Sequence, residues 1–372
     1  MFGSQRVQLH EQLLGMKRVL LIPIFDGHND MLQHLRPFDD ASVRQFVEHG
    51  SAGHIDLGRA RQGGFAGGFV AVFARSPDRK QSESDPDFRL TEDGYEVRLA
   101  DPISQTFALQ EALAQTAALF RLETIASDEL EIVRSIAGIE RCIDTRRTAA
   151  ILHFEGADAI DPGLSTLEVF YRAGLRSLGI VWSRPNAFGH GVPFRFPASP
   201  DTGPGLTEEG VHLVRRCNEL GVMIDVSHLN EQGFWDVVRT SKAPIVATHS
   251  AAHAICPSTR NLTVKQLAAI RDSDGLVGMN LEVSVVRPDG HDDSDTPLDV
   301  FMQQITYLID RLGVARVAIG SDFDGATMPR AITDVAGLPA LTAAMRKHGF
   351  DETTIEKISW RNWLRVLDLT WH

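Results

Sequence analysis

Short apolar runs alternate with longer amphipathic stretches along the chain. Eight of these runs read as buried strands: Leu20–Phe25, Gly68–Phe73, Ala149–Phe154, Leu178–Trp182, Val222–Val226, Pro244–Thr248, Leu276–Leu281 and Arg316–Gly320. Between most of them apolar residues recur at helical spacing, as in Gln105 to Glu123, Glu208 to Leu220, Val264 to Arg271 and Leu298 to Leu312. Leu220-Gly221 and Leu312-Gly313 place a glycine just before the next strand, which suits a helix C-cap. Eight strands alternating with helices predict parallel βα units. The fold class is therefore α/β, with a distorted TIM-like (β/α)8 barrel first and a doubly wound open sheet as the alternative. The long stretch between the second and third runs requires extra helices. Segments rich in Pro, Gly, Ser and Asp (Ser76–Asp87, Pro193–Gly205, Arg287–Pro297) read as loops, and nothing in the chain resembles a linker. Residues 1–372 are thus expected to form one barrel domain.

Composition narrows the function classes. The chain has 372 residues, 43% hydrophobic and 23% charged, an ordinary globular balance with ample core material. A net charge of -12 argues against nucleic acid as a partner, because a phosphate backbone requires a basic surface. Cys142, Cys217 and Cys256 are few and far apart, which is no disulfide framework and suits a reducing compartment. The apolar segment Val19 to Phe25 is too short to span a bilayer, and Leu369-Thr370-Trp371-His372 offers no lipid-anchor tail. The expectation is a soluble cytoplasmic protein with no membrane partner, and a homodimer is the ordinary assembly for such an enzyme.

The candidate chemistry gathers where the strands end. The first run leads into Asp26-Gly27-His28-Asn29-Asp30, and the two-residue strand period puts His28 and Asp30 on one side. The third ends in His153-Phe154-Glu155-Gly156, the fifth in Asp225-Val226-Ser227-His228, the sixth in Thr248-His249-Ser250 and the eighth in Gly320-Ser321-Asp322-Phe323-Asp324-Gly325. A lone His after a strand is usually hydrogen-bonded structure. Five ends carrying His, Asp or Glu at corresponding places read instead as a site, since a barrel gathers its functional residues on the face where the strands end. Three imidazoles with carboxylates suit a pair of divalent cations, zinc first, about 3.5–4 Å apart and sharing a water whose pKa falls to about 7.

With DGHND (26–30), the Glu155-Gly156 turn, IDVSH (224–228), ATHS (247–250), STRN (258–261) and GSDFDG (320–325) in this order, the chain resembles the renal (membrane) dipeptidase family of metallopeptidases, within the amidohydrolase superfamily. The 21-residue step from His228 to His249 fits the same family. The resemblance implies two zinc ions per chain, bridged by Glu155 and a water or hydroxide. His28 and Asp30 would hold the first and His228 and His249 the second. It implies Asp322 as general base and then general acid, and Arg260 as the fork for the substrate's free carboxylate. The implied substrate is a dipeptide, with a D-residue tolerated at its C-terminal position.

The chain departs from the family pattern after the fourth strand. A His that contacts the substrate is usual there, and this chain has Val181-Trp182-Ser183-Arg184-Pro185-Asn186. Trp182 takes that place. It shapes a more apolar pocket or packs the barrel mouth, with Arg184 or His190 as stand-ins for the missing contact. Two other functions stay open: an amidohydrolase of N-acyl amino acids or lactams, and a metal-loaded binding protein without turnover. His153 reads as a core or supporting His, His253 as a loop residue, and Asp225 as support for a neighbour. Phe323-Asp324-Gly325 reads as the turn ending the last strand, and Trp360, Trp363 and Trp371 as packing of the terminal helices.

Overall fold

The structure, a computed structural model, describes residues 21–77 and 88–371. Val19 and Leu20 of the first apolar run, residues 78–87 of the first expected loop, and His372 lie outside the described residues. Eight parallel strands follow one another around a barrel: β1 (Ile24–Asn29), β2 (Phe65–Val72), β3 (Thr148–Glu155), β4 (Leu175–Gly179), β5 (Met223–Asp225), β6 (Val246–Ser250), β7 (Leu276–Asn280) and β8 (Val317–Gly320). Each pairs with its neighbour in chain order, so the distorted (β/α)8 barrel, and not the open sheet, is the architecture. Most of these strands are buried on both faces, between inner side chains and outer helices. That is why they read as continuous apolar runs instead of alternating ones.

The seam between β8 and β1 is closed by polar groups. The Asp322 N–H donates to the His28 carbonyl at 3.0 Å, and the Asp30 N–H donates to the Phe323 carbonyl at 2.8 Å. Below them the buried Asp26 carboxylate accepts from the Ser321 N–H at 2.6 Å and from its hydroxyl at 2.8 Å. Burial pushes the Asp26 carboxyl up to about 6, against the pull of these bonds.

At the end where the strands begin, Trp363 closes the barrel. It projects from the helix Asn362–Asp368 and is fully buried among Phe25, Phe69, Met223, Val246 and Leu276. Its indole N–H donates to the Ile319 carbonyl at 2.9 Å. Gly27 makes this approach possible, since a Cβ there would lie 2.4 Å from the indole and 2.3 Å from the Thr248 carbonyl.

The helices Gln105–Ile125 and Ile136–Thr145 fill the long stretch between β2 and β3. Glu208–Leu220 and Leu298–Leu312 are helices with the expected bounds, and Gly221 caps the first of them in the left-handed conformation. Several features differ from the sequence reading. The first strand is Ile24–Asn29, not Leu20–Phe25, so His28 and Asn29 are strand residues, and the second strand begins at Phe65. The fourth strand is Leu175–Gly179, not Leu178–Trp182. Gly179 makes its last pairings, and the chain then leaves the sheet, with the Ile180 carbonyl accepting from Ala157 and Asn186. Ile180 and Val181 are apolar because loops bury them, and Trp182 because it packs on Phe73 and Phe194 at the cavity, not because they are strand. The Pro193–Gly205 segment is not all loop: Phe194–Phe196 joins Tyr95–Val97 and Phe88–Leu90 in a small antiparallel sheet. A short strand, Leu130–Ile132, adds to the start of β3 outside the eight. Among the described residues, no helix is long and apolar enough to cross a membrane.

Candidate metal centre

The ends of β1, β3, β5, β6 and β8 bring His28, Asp30, Glu155, His228, His249 and Asp322 together. Glu155 Oε1 is the hub. It lies 3.0 Å from His228 Nε2, 3.6 Å from His28 Nε2 and 3.8 Å from His249 Nε2. His28 Nε2 is also 3.6 Å from Asp30 Oδ2, and the two distal nitrogens of His228 and His249 are 3.0 Å apart. The His28 and His249 rings stack at 4.0 Å. Three groups of three ligand atoms, each group within 4.8 Å, result: His28 with Asp30 and Glu155, Glu155 with His228 and His249, and His28 with His249 and Asp322.

Polar groups behind the imidazoles orient them. Ser183 Oγ lies 2.9 Å from His228 Nδ1, and Thr248 Oγ1 lies 2.8 Å from His249 Nδ1. With each Nδ1 donating to its hydroxyl, both Nε2 lone pairs face Glu155, the tautomer a metal ligand needs. The Thr248 hydroxyl donates onward to Asp225 Oδ2 at 2.6 Å, and Asp225 Oδ1 accepts from the Ser227 and Thr248 N–H groups and from the Ser227 hydroxyl. Asp225 therefore supports its neighbours, as expected. His153 is buried against Ser177 Oγ at 2.9 Å, with its ring edge-on to His28, and burial pushes its pKa down to about 3.

The electrostatics describe a site short of positive charge. Burial alone would depress the His28 imidazole, but Glu155, Asp30 and Asp322 outweigh it and raise it to about 10. Burial, with Asp30 and Asp322 nearby, holds the Glu155 carboxyl far above the usual range. Burial, then the charges of Arg260 and His28, keeps His228 and His249 well below theirs and so neutral. Both His28 ring nitrogens and Asp30 Oδ1 are buried without a hydrogen-bond partner. Converging lone pairs, crowded carboxylates and orphaned acceptors fit divalent cations, and the nitrogen and oxygen donor set suits zinc.

Of these residues, Asp30, Glu155, His228 and Asp322 line a cavity of about 190 Å³, with Arg260 and Trp182. Arg260 is buried and fixed: its guanidinium donates to the Ser227 carbonyl and, at 3.3 Å, to the His249 carbonyl, and lies 3.3 Å from His228 Nε2. Asp322 has φ +64, a left-handed conformation uncommon outside glycine, and Asn280 Nδ2 donates to its Oδ2 at 3.0 Å. Trp182 packs with Phe73 and Phe194 at 4.8 and 5.9 Å, forming an aromatic wall.

Arg184 is not brought to the cavity. It is fully buried behind Trp182, donating to Asp158 at 3.1 Å and to the Ala74 carbonyl at 2.6 Å, so it ties loops together. His190 and His253 face the carbonyls of Gly205 and Ala198. Phe323-Asp324-Gly325 is the expected turn, and its Asp324 meets His34 at 3.2 Å. Sequence reasoning passed over Ser183, Asn280 and Glu282. Ser183 stands between the two residues it singled out, and its positive φ of +41 aims the hydroxyl at His228. A polar residue right after an apolar run was the available signal.

A family model described as membrane dipeptidase (peptidase family M19) matches residues 16–370. A metallopeptidase from Rhodobacter sphaeroides, solved liganded with a phosphinate mimic of the dipeptide L-Ala-D-Ala, is 48% identical with a TM-score of 0.91, covering 94% of this chain and 100% of that one. The dipeptidase AC, a metallopeptidase of family M19, is 47% identical with a TM-score of 0.88, covering 94% and 99%. A Klebsiella pneumoniae protein described as an uncharacterized protein in the pqqA 5′ region is 49% identical over 257 residues, 69% of this chain and 95% of its own.

Proposed function

Because the chain belongs to the membrane dipeptidase family of metallopeptidases, peptidase family M19, we propose that it hydrolyses dipeptides with a free C-terminal carboxylate and accepts a D-residue at that position. The observation that carries this reading is the meeting of Glu155 Oε1 with three imidazoles in the small cavity that Arg260 lines. In this reading His28, Asp30, His228 and His249, together with Glu155, are the residues that would hold two zinc ions. When bound, such cations would supply Lewis acidity and an activated water. The chain's own residues do the rest. Arg260, already anchored on two carbonyls, presents its remaining donors to the carboxylate and fixes the peptide's register. Asp322, steered by Asn280, takes a proton from the attacking water and returns it to the leaving amine. Trp182, Phe73 and Phe194 exclude water from one side.

The aromatic wall favours one second reading, an amidohydrolase that takes N-acyl amino acids or lactams. The test is a comparison of kcat/KM for L-Ala-D-Ala, L-Ala-L-Ala and N-acetyl-D-alanine by the purified protein, with metal counted per chain. Dipeptide turnover with about two metals per chain is expected. Preference for the acyl compound would overturn the first reading in favour of the second.

A further inference from the structure

The cavity is lined by more carboxylates than the proposed reaction uses. Asp30 and Glu155 belong to the candidate metal set, and Asp322 is held by Asn280. Asp324 accepts from the His54 N–H and faces His34. Glu282 has none of these duties. It follows β7 by two residues and is half-buried at the cavity wall. Its backbone N–H donates to Asn280 Oδ1 at 2.6 Å, so the amide that steers Asp322 also fixes the turn carrying Glu282. The Ser284 hydroxyl donates to its Oε1 at 2.6 Å and holds the side chain in place. Among the described residues it makes no ion pair. Burial, then Asp322, pushes its carboxyl up to about 7, as expected of an acid short of positive partners. Arg260 is the cation nearest in role: Asp322 and then Glu282 are the carboxylates that hold its charge against burial.

We propose that Glu282 is a specificity-determining residue that recognises an ammonium or guanidinium on the side chain of the substrate's C-terminal residue. The inference rests on the dipeptidase reading, in which Arg260 takes the C-terminal carboxylate. The residue bearing that carboxylate then lies beside Glu282, whereas the substrate's α-ammonium sits beyond the scissile carbonyl. A fixed, half-desolvated carboxylate rewards a cation there and disfavours a second acid.

The test compares kcat/KM for L-Ala-D-Lys, L-Ala-D-norleucine and L-Ala-D-Glu in the metal-loaded wild type, Glu282→Gln and Glu282→Asp. The wild type is expected to favour the lysine peptide over its neutral counterpart by about tenfold, the scale of one charge-assisted hydrogen bond, with the glutamate peptide poorest. The lysine-to-norleucine ratio is expected to collapse toward one in Glu282→Gln and to recover in part in Glu282→Asp. A wild-type ratio near one, or a ratio unchanged in Glu282→Gln, would overturn the inference and leave the dipeptidase reading standing. The wild-type ratio decides this even if a variant does not fold. Hydrolysis of none of the dipeptides would overturn the dipeptidase reading, and this inference with it.

Discussion

At one end the barrel is sealed by carbon, and at the other it is lined by lone pairs. Trp363 fills the end where the strands begin, and its one polar side-chain atom is bonded to the Ile319 carbonyl. Where the strands finish, His28 and Asp30 keep buried atoms without partners, and Ser183, Asp322 and Asp324 hold positive φ angles. The same eight strands build both ends, so the difference lies in what each end is for. A packed core leaves few buried polar groups unsatisfied. A site retains such groups, and the strain that aims them, because a ligand completes it. The well-packed end supplies the stability against which the other is held open.

If that division is real, changes at the two ends separate. The largest effect is expected from His228→Ala or from chelation. Activity should fall by more than the roughly 10²–10³-fold that a single oxyanion donor contributes, with metal content reduced and the far-UV circular dichroism retained. Asp322→Asn should lower kcat by about 10²–10⁴-fold while metal analysis stays at the wild-type count, because it removes the proton carrier and no ligand of the proposed pair. Trp363→Ala should do the reverse, costing about 3–5 kcal/mol in urea denaturation while kcat per folded molecule changes little. A large loss of metal in that variant would show that the ends are not separable. The smallest change is Ser183→Ala, which frees the His228 ring and should weaken metal affinity by about 10–100-fold, read by chelator competition.

How far the sequence reveals these ends follows from the same physics. The strands were legible because burial on both faces makes them unbroken apolar runs. The fourth reads three residues late because Ile180 and Val181, buried under loops, and Trp182, packed at the cavity wall, are equally apolar for other reasons. Those ligand candidates stood out because His and carboxylates are rarely repeated at strand ends without a purpose. Arg184 stood out for its charge, yet the structure uses it to tie Asp158 and Ala74 behind the wall. Ser183 and Glu282 went unread because their partners are 45 residues away in one case and supplied by a turn in the other. No local pattern announces a hydroxyl that finds a histidine across the barrel. Trp363 is legible as packing, but not as the plug, since the glycines that make room for it, Gly27 and Gly278, lie far away in the chain.

The seam between the last strand and the first carries a consequence for biosynthesis. His28 is translated early and Asp322 late, and the Asp322 N–H bonds to the His28 carbonyl itself. A nascent chain still lacking its final strand would therefore hold the five proposed metal ligands without Asp322, and the His28 carbonyl would have no N–H from that strand to accept. On the proposed reading, the site becomes whole only with the closing segment of the barrel.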